Sequence, residues 1–218
     1  MAVVITVAQQ KGGSGKTMLA ANLAAWLAAG KSTAVLDIDP QHSLARWHRL
    51  RTAHAPAPAS VALSEISGWR VAGELDRLRR SYEIVLVDTP PVVDSDARRA
   101  IRAADIVVVP LQPSAPDLWA AEGTFQLAAE EKRPICVVLN RVPASGKQRE
   151  DMLHALHERG ISVLSATLGN RAAFSQAFAQ GLGVTEAAPR TSAAKELQAL
   201  AESMLEAIAA PAAVPGSR

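Results

Sequence analysis

Short, nearly continuous apolar runs alternate along the chain with longer segments in which apolar residues recur at helical spacing. Such runs predict strands that are covered on both faces, and the longer segments predict helices. The predicted strands are 2–8, 33–38, 83–87, 105–109, 134–139 and 161–165. The predicted helices are 16–29, 43–51, 70–80, 95–103, 115–131, 147–159, 171–180 and 191–209.

This alternation predicts an α/β fold, with a doubly wound, mostly parallel sheet flanked by helices. In such folds ligands bind at the carboxyl ends of the strands. Polar residues follow the predicted strands at Gln9–Thr17, Asp39, Asp88 and Asn140. We therefore expect these residues to lie near one another at one edge of the sheet.

The length of 218 residues fits one domain. We expect this domain to span residues 1–209 and expect a disordered tail over 210–218, where the sequence "APAAVPGSR" offers little to bury. The segment "TAHAPAPAS" at 52–60 predicts a surface connection. The chain shows neither a signal peptide nor an apolar run of 18 residues, so we expect a cytoplasmic protein without a membrane partner.

The formal net charge of +2 is nearly neutral. A nucleic-acid-binding role would therefore have to come from a local basic patch. Cys136 is the single cysteine, which excludes a disulfide within the chain and a metal site built from several cysteines. Its apolar neighbours predict a buried thiol.

A glycine-rich loop lies between the first predicted strand and the first predicted helix. Gly12, Gly13 and Gly15 would let backbone N–H groups turn toward phosphate oxygens, and the helix that follows would point its positive end at them. Lys16 would neutralise the β- and γ-phosphates, and the Thr17 hydroxyl would bind Mg²⁺. The spacing departs from the usual phosphate-binding loop, because Gln10 stands where the first glycine is expected.

Carboxylates end two of the predicted strands. In "YEIVLVDTPP", Asp88 follows an apolar strand, an arrangement in which a carboxylate holds Mg²⁺ beside a nucleotide. In "VLDIDPQ", Asp37 and Asp39 are two residues apart and so point to the same face. Asp39 begins the turn nearest the ligand, and we interpret Asp37 as a residue that supports it.

The motif "KGGSGKT" resembles the deviant Walker A motif of the ParA/MinD family of P-loop ATPases. "DIDPQ" and "DTPP" resemble the two switch segments of that family. The resemblance implies ATP as substrate and Mg²⁺ as cofactor. The residues that it implies for nucleotide binding are Lys11, Gly12, Gly13, Ser14, Gly15, Lys16, Thr17, Met18 and Asn140.

The same resemblance implies catalytic roles for three residues. In the family, the extra lysine, here Lys11, crosses a dimer interface and contacts the phosphates of the partner's ATP. Lys16 holds the chain's own nucleotide. Asp39 corresponds to the acid that orients the attacking water, and it joins Thr17 and Asp88 at the metal site.

Asn140 is the candidate for the base site. Guanine-binding proteins place an aspartate three residues after such an asparagine, whereas this chain has Pro143 there. The missing acid favours adenine, and the resemblance implies that Asn140 contacts the base. A purely turn-shaping asparagine remains an alternative.

Other stretches, such as "NRAAFSQAFAQGLGVTE", resemble short ParA proteins that lack an N-terminal helix-turn-helix. That branch implies an ATP-dependent homodimer that binds nonspecific DNA at the nucleoid and positions a cargo through hydrolysis stimulated by a ParB-like or adaptor protein. Arg171 matches a basic residue used by the family. Arg190 and Lys195 are further candidates for DNA contact, although solvated cations at a helix end explain them equally well.

Two alternatives stay open at this stage. One is a metabolic ATP-dependent ligase or amidase on the same scaffold. The other is a MinD-like ATPase at a membrane surface, which would need a basic amphipathic last helix. The predicted last helix carries more glutamates than lysines, which indicates a helix that packs on the core.

Overall fold

The computed structural model describes residues 2–92, 94–144 and 147–209. Six strands form one sheet in the order β3-β2-β4-β1-β5-β6, and every neighbouring pair is parallel. The predicted fold class is therefore confirmed. The strands are β1 (Val3–Val7), β2 (Thr33–Asp37), β3 (Val61–Glu65), β4 (Ile84–Asp88), β5 (Ile106–Leu111) and β6 (Ile135–Leu139).

Helices cover both faces of the sheet. One face carries α1, α2, α7, α8 and α9, and the other carries α3 to α6. The helices are α1 (Lys16–Leu27), α2 (Ser43–Thr52), α3 (Val71–Ser81), α4 (Ser95–Ala103), α5 (Ala115–Glu130), α6 (Gln148–Glu158), α7 (Ala172–Phe178), α8 (Val184–Ala187) and α9 (Ser192–Ala209), with a 3-10 turn at Gly68–Arg70.

Two predictions about the strands were wrong. The segment 161–165 runs beside β6 but pairs with it through a single bridge, between Val163 and Val137. Strand β3 was missed, because as an edge strand it is largely half-buried and its sequence lacks the continuous apolar character of the central strands. The predicted tail at 210–218 lies outside the described residues.

The buried strands explain why the site forms where it does. Register places Asp88 of β4 opposite Asp37 of β2 on one side and opposite Val7 of β1 on the other. The chain leaves β1 at that level and enters the glycine-rich loop. Parallel pairing thus brings two acids and the loop to one edge of the sheet.

Helix α1 packs closely on the sheet because its buried face is built from leucine and alanine. Leu19, Leu23 and Leu27 are buried together with the small side chains of four alanines. Helix α9 likewise buries an apolar face against the core. Among the described residues, no helix is both long and apolar enough to cross a bilayer.

A buried ion pair fixes α2 to α8. The Arg51 guanidinium, 2% exposed, donates to Glu186 Oε1 at 2.7 Å and Oε2 at 2.8 Å. It also donates to the Ala59 carbonyl and lies 5.2 Å from the centre of the Trp47 ring. This ion pair anchors the C-terminal end of α2, the helix that follows the turn containing Asp39.

We predict that Glu186→Ala lowers the free energy of unfolding by about 3 kcal/mol, because it leaves the Arg51 charge buried without its partner. The surface change Glu158→Ala removes an exposed contact to His154 and should cost about 0.5 kcal/mol or less. Urea unfolding of both variants tests this. Equal losses would show that the Arg51–Glu186 pair does not anchor α2.

Candidate nucleotide-binding site

The glycine-rich loop leads into α1 with its backbone donors unopposed. Gly13 and Gly15 have φ angles of 76° and 96°, a left-handed conformation that suits glycine. No side chain caps the N-terminus of α1, and its first turn contains no acid. The first N–H groups of α1 are therefore available for an anion, as a phosphate site requires.

Asn140 holds this loop in place. Its Nδ2 donates to the Ser14 carbonyl at 2.9 Å, and its Oδ1 accepts from the Arg141 N–H. A Cβ atom on Gly15 would lie 2.5 Å from Asn140 Nδ2, so glycine is needed there for space as well as conformation. Asn140 thus supports the phosphate loop, and its predicted contact with the base stays a prediction.

Lys16 lies buried under the loop, with 6% of the residue exposed. Burial lowers the pKa of its ammonium, while the charges of Asp88 and Asp39 raise it. Its Nζ is 3.4 Å from the Lys11 carbonyl oxygen, a long contact for an ammonium donor. The Lys16 charge is therefore desolvated and weakly hydrogen-bonded, which suits a group awaiting phosphate oxygens.

Asp88 is completely buried, and neither of its carboxylate oxygens accepts a hydrogen bond from the described residues. Burial raises the pKa of Asp88 to about 8. The nearby Thr17 hydroxyl and the Lys16 charge lower that pKa, whereas the charges of Asp37 and Asp39 raise it.

A divalent cation fits this position. Mg²⁺ prefers one or two carboxylates, with water and phosphate oxygens completing its shell. The described residues contain no cluster of three metal-ligating acids, histidines or cysteines. Asp88 and Thr17 would therefore hold Mg²⁺ together with the nucleotide and water.

Asp37 and Asp39 have different roles in the turn after β2. Asp37 Oδ1 accepts from the Asp39 N–H and Oδ2 accepts from the Ala45 N–H, each at 3.0 Å. It therefore caps α2 and fixes Asp39, in agreement with its predicted supporting role. Burial raises the pKa of Asp37, although both backbone donors lower it. The Asp39 carboxylate accepts from the Gln41 N–H at 2.9 Å.

The front of the loop contacts α5, which the sequence did not indicate. Lys11 Nζ lies 2.5 Å from Asp117 Oδ2. Gln10 packs against Gly123, where any larger side chain would displace it. The predicted helix 115–131 places Asp117 in its first turn, but nothing in the sequence pointed to a contact with Lys11.

The nucleotide-binding set implied by the resemblance is contiguous at this edge, from Lys11 to Thr17. Met18 follows inside α1 and is half-buried against the core. Its carbonyl accepts from Asn22 Nδ2, whose Oδ1 accepts from the Val184 N–H. The contribution of Met18 to nucleotide binding stays a prediction.

The three candidate DNA-binding cations lie near α9. Arg171 forms a bidentate ion pair with Glu196, with its Nε 2.9 Å from each carboxylate oxygen. This hydrogen bonding raises the pKa of Arg171. Arg190 and Lys195 are exposed, and neither forms an ion pair with a described residue. Arg171 is thus the most neutralised of the three.

Comparison with known proteins supports a nucleotide-binding domain, as the glycine-rich loop and the parallel sheet indicate. The model of the CobQ/CobB/MinD/ParA nucleotide binding domain matches residues 5–184. The chain belongs to this family. The predicted resemblance to the ParA/MinD ATPases is therefore confirmed.

Individual members of the CobQ/CobB/MinD/ParA family match over most of the chain. Maintenance of carboxysome distribution protein A from Gloeobacter kilaueensis is 35% identical over 188 residues, 84% of each chain. Protein ParA from Rhizobium radiobacter is 30% identical over 188 residues, 82% of this chain and 83% of its own. A Cyanothece McdA variant in complex with ATP shares the fold, with a TM-score of 0.78 at 17% identity over 93% of this chain and 96% of its own.

We predict that Asp88→Asn stabilises the protein at high pH when no nucleotide or Mg²⁺ is present. The folded-state pKa of Asp88, about 8, lies above the ordinary value of 3.8. The folded state therefore binds the proton more tightly, and this site loses stability as pH rises from about 4 to about 8. An asparagine has no charge to bury.

At pH 8.5 the variant's melting temperature should exceed the wild-type value by at least about 3 °C, because even ~1 kcal/mol, a fraction of what this pKa shift allows, raises the melting temperature of a chain of this size by that amount. At pH 5 the difference should shrink. The exposed control Asp76→Asn should change little at either pH. A gain independent of pH would contradict the assignment of a buried charge to Asp88.

Proposed function

We propose that this chain is a ParA-like ATPase that ATP and Mg²⁺ assemble into a dimer, which binds DNA without sequence preference and positions a cargo. One observation carries the proposal. The loop holds two lysines in opposite environments: Lys16 is buried toward the chain's own carboxylates, whereas the Lys11 side chain is 38% exposed at the edge of the sheet. Lys16 suffices for the phosphates of the chain's own nucleotide, which leaves the exposed Lys11 for the phosphates of a second chain's nucleotide.

The chain's own nucleotide is bound by groups at the carboxyl edge of the sheet and the N-terminus of α1. The N–H groups at the start of α1 and the Lys16 ammonium bind the phosphates, and this compensates the desolvation of Lys16. Asp88 and Thr17 hold Mg²⁺. When bound, this ion would neutralise charge on the β- and γ-phosphates.

Hydrolysis requires a water in line with the γ-phosphate. Asp39 lies at the same edge, held by the Asp37 contact to its N–H. We assign Asp39 to orient that water, and Lys11 of the second chain to stabilise the charge that develops on the phosphate. Turnover by the isolated chain is expected to be slow and to rise with an adaptor protein.

DNA contact is proposed on the surface around α9. Phosphate binding by exposed Lys and Arg needs no base readout, and a dimer presents each cation twice. Because Glu196 neutralises Arg171, Arg190 and Lys195 are the stronger candidates. Nucleoid localisation would follow from such binding.

Burial of the α9 apolar face in the core supports this proposal over the MinD-like membrane alternative. The name of the Gloeobacter kilaueensis relative refers to carboxysome distribution, and the cargo proposed for this chain is of that general kind, a body that must be distributed in the cell. Under the ligase alternative, the oligomeric state of the chain would not depend on ATP.

We predict that ATP with Mg²⁺, but not ADP, converts the monomer to a dimer in sedimentation velocity. Lys16→Ala should lose ATP binding and dimerisation together. Lys11→Ala should keep ATP binding and lose dimerisation. Asp39→Ala should dimerise with ATP but hydrolyse it at least about 100-fold more slowly, the range expected for a residue that places the nucleophile.

The exposed variant Lys31→Ala, at the opposite edge of the sheet, is the control and should dimerise like the wild type. Full ATP-dependent dimerisation of Lys11→Ala would refute the bridging role. Normal turnover by Asp39→Ala would refute the catalytic assignment.

We predict that the double change Arg190→Ala, Lys195→Ala weakens binding of the ATP-bound dimer to random-sequence duplex. The slope of log affinity against log salt should fall by about 1 for each lost phosphate contact. Fluorescence anisotropy in a salt series measures this slope, with Lys31→Ala as control. An unchanged slope would place DNA on another surface.

A further inference from the structure

Lys11 is held by a carboxylate of its own chain. The Lys11 ammonium lies 2.5 Å from Asp117 Oδ2, and the two side chains differ sharply in exposure, at 38% for Lys11 and 2% for Asp117. The acid is therefore a fixed part of the interior, whereas the lysine reaches out from it to the surface of the site.

Asp117 is itself fixed by the start of α5. Ser114, the N-cap residue, donates its hydroxyl to Asp117 Oδ2 at 2.6 Å and accepts from the Asp117 N–H at 3.3 Å. The other oxygen, Oδ1, is buried and accepts no hydrogen bond from the described residues. Lys11 is thus the cation that compensates the buried Asp117 charge.

The same helix and the segment before it support the rest of the loop front. Gln10 packs against Gly123 of α5, and Gln112 Nε2 donates to the Gly13 carbonyl at 3.4 Å. These contacts hold the loop on both sides of Lys11. The Lys11 ammonium is held separately, by its ion pair with Asp117.

Withdrawal of Lys11 from Asp117 would leave a buried carboxylate without its counter-ion, which is strongly unfavourable. An ammonium has three N–H donors, and Asp117 Oδ2 takes one of them. The others can bind phosphate oxygens while the ion pair stays intact. Protein kinases use an acid in this way, to hold the lysine that contacts nucleotide phosphates.

We propose that Asp117 is a positioning residue for the second chain's nucleotide: it holds Lys11 so that the ammonium meets the phosphates of the partner's ATP as the dimer forms. This proposal rests on the ATP-bridged dimer proposed above. It adds that the bridging lysine is pre-oriented by its own chain and keeps its acid in the dimer.

The test compares Asp117→Asn, which keeps the shape of the side chain and removes its charge, with the wild type. The ATP-dependent dimer dissociation constant should rise about 10- to 100-fold, the effect of a lost charge-assisted hydrogen bond. Nucleotide affinity, measured below the concentration of dimerisation, should change much less. Asp117→Glu, which restores the charge, should recover part of the loss.

Glu122→Gln is the matched control. Glu122 lies on the same helix in an exposed contact with Arg159, so its change should leave dimerisation unaltered. The Lys11→Ala background is not expected to dimerise, so there the test measures thermal stability. In that background Asp117→Asn should raise the melting temperature, since the unpaired buried carboxylate is removed.

Three outcomes would overturn the proposal. Tighter dimerisation of Asp117→Asn would show that the ion pair holds Lys11 away from the partner's nucleotide instead of orienting it toward the phosphates. Unchanged dimerisation, with a wild type that does dimerise, would leave Asp117 a structural residue. A melting temperature of the Lys11→Ala background that Asp117→Asn leaves unchanged or lowers would show that Lys11 does not compensate the Asp117 charge. A wild type that does not dimerise with ATP would instead refute the proposed function itself.

Discussion

The site depends on two ionisable side chains, Asp88 and Lys16, that the fold buries with almost no hydrogen bonds from the described residues. Asp88 has no hydrogen-bond donor among the described residues, Lys16 makes one long contact, and both lie beneath the loop at the end of the central strands. Burying these groups costs free energy, and phosphates together with a divalent cation would supply the missing partners. Nucleotide and Mg²⁺ are therefore expected to stabilise this edge of the sheet.

In the proposed dimer, the two lysines would divide the phosphate charge between an inner contact from Lys16 of one chain and an outer contact from Lys11 of the other. Lys16 belongs to α1 and lies with the carboxylates of β2 and β4. Lys11 belongs to the loop front and lies with α5. These supports are built from different elements, so the inner contact can form in one chain while the outer contact waits for a second. Nucleotide binding and chain pairing can thus be separate steps.

Most of the fold could be predicted because its central strands are buried on both faces and their apolar runs are unbroken. The position of the glycine-rich loop between β1 and α1 could be predicted because glycines at this spacing, followed by lysine and threonine, are typical of a phosphate loop. Edge elements escaped prediction: β3 is half-buried and mixed in character, and 161–165 is apolar yet touches β6 at one bridge. An apolar run indicates that a segment is buried. It does not indicate whether the segment forms a continuous ladder of backbone hydrogen bonds with the edge strand of the sheet.

Contacts between distant segments could not be predicted from spacing at all. Asp117 stands 106 positions from Lys11, and in sequence it reads as an acid in the first turn of a helix. The same holds for Glu186 and Arg51, which are 135 positions apart. The ion pair between Arg171 and Glu196 of α9 could not be predicted either, because the resemblance marked Arg171 only as a candidate for DNA contact.

The central claim is that each nucleotide-binding site is completed by residues from two chains. Complementation between inactive variants tests this claim most directly. Lys11→Ala chains can hold a nucleotide but lack the outer lysine, and Lys16→Ala chains keep the outer lysine but hold no nucleotide. Each alone should be inactive. Mixed together they should hydrolyse ATP, because each mixed pair contains one complete site; a mixture as inactive as its components would contradict the shared site.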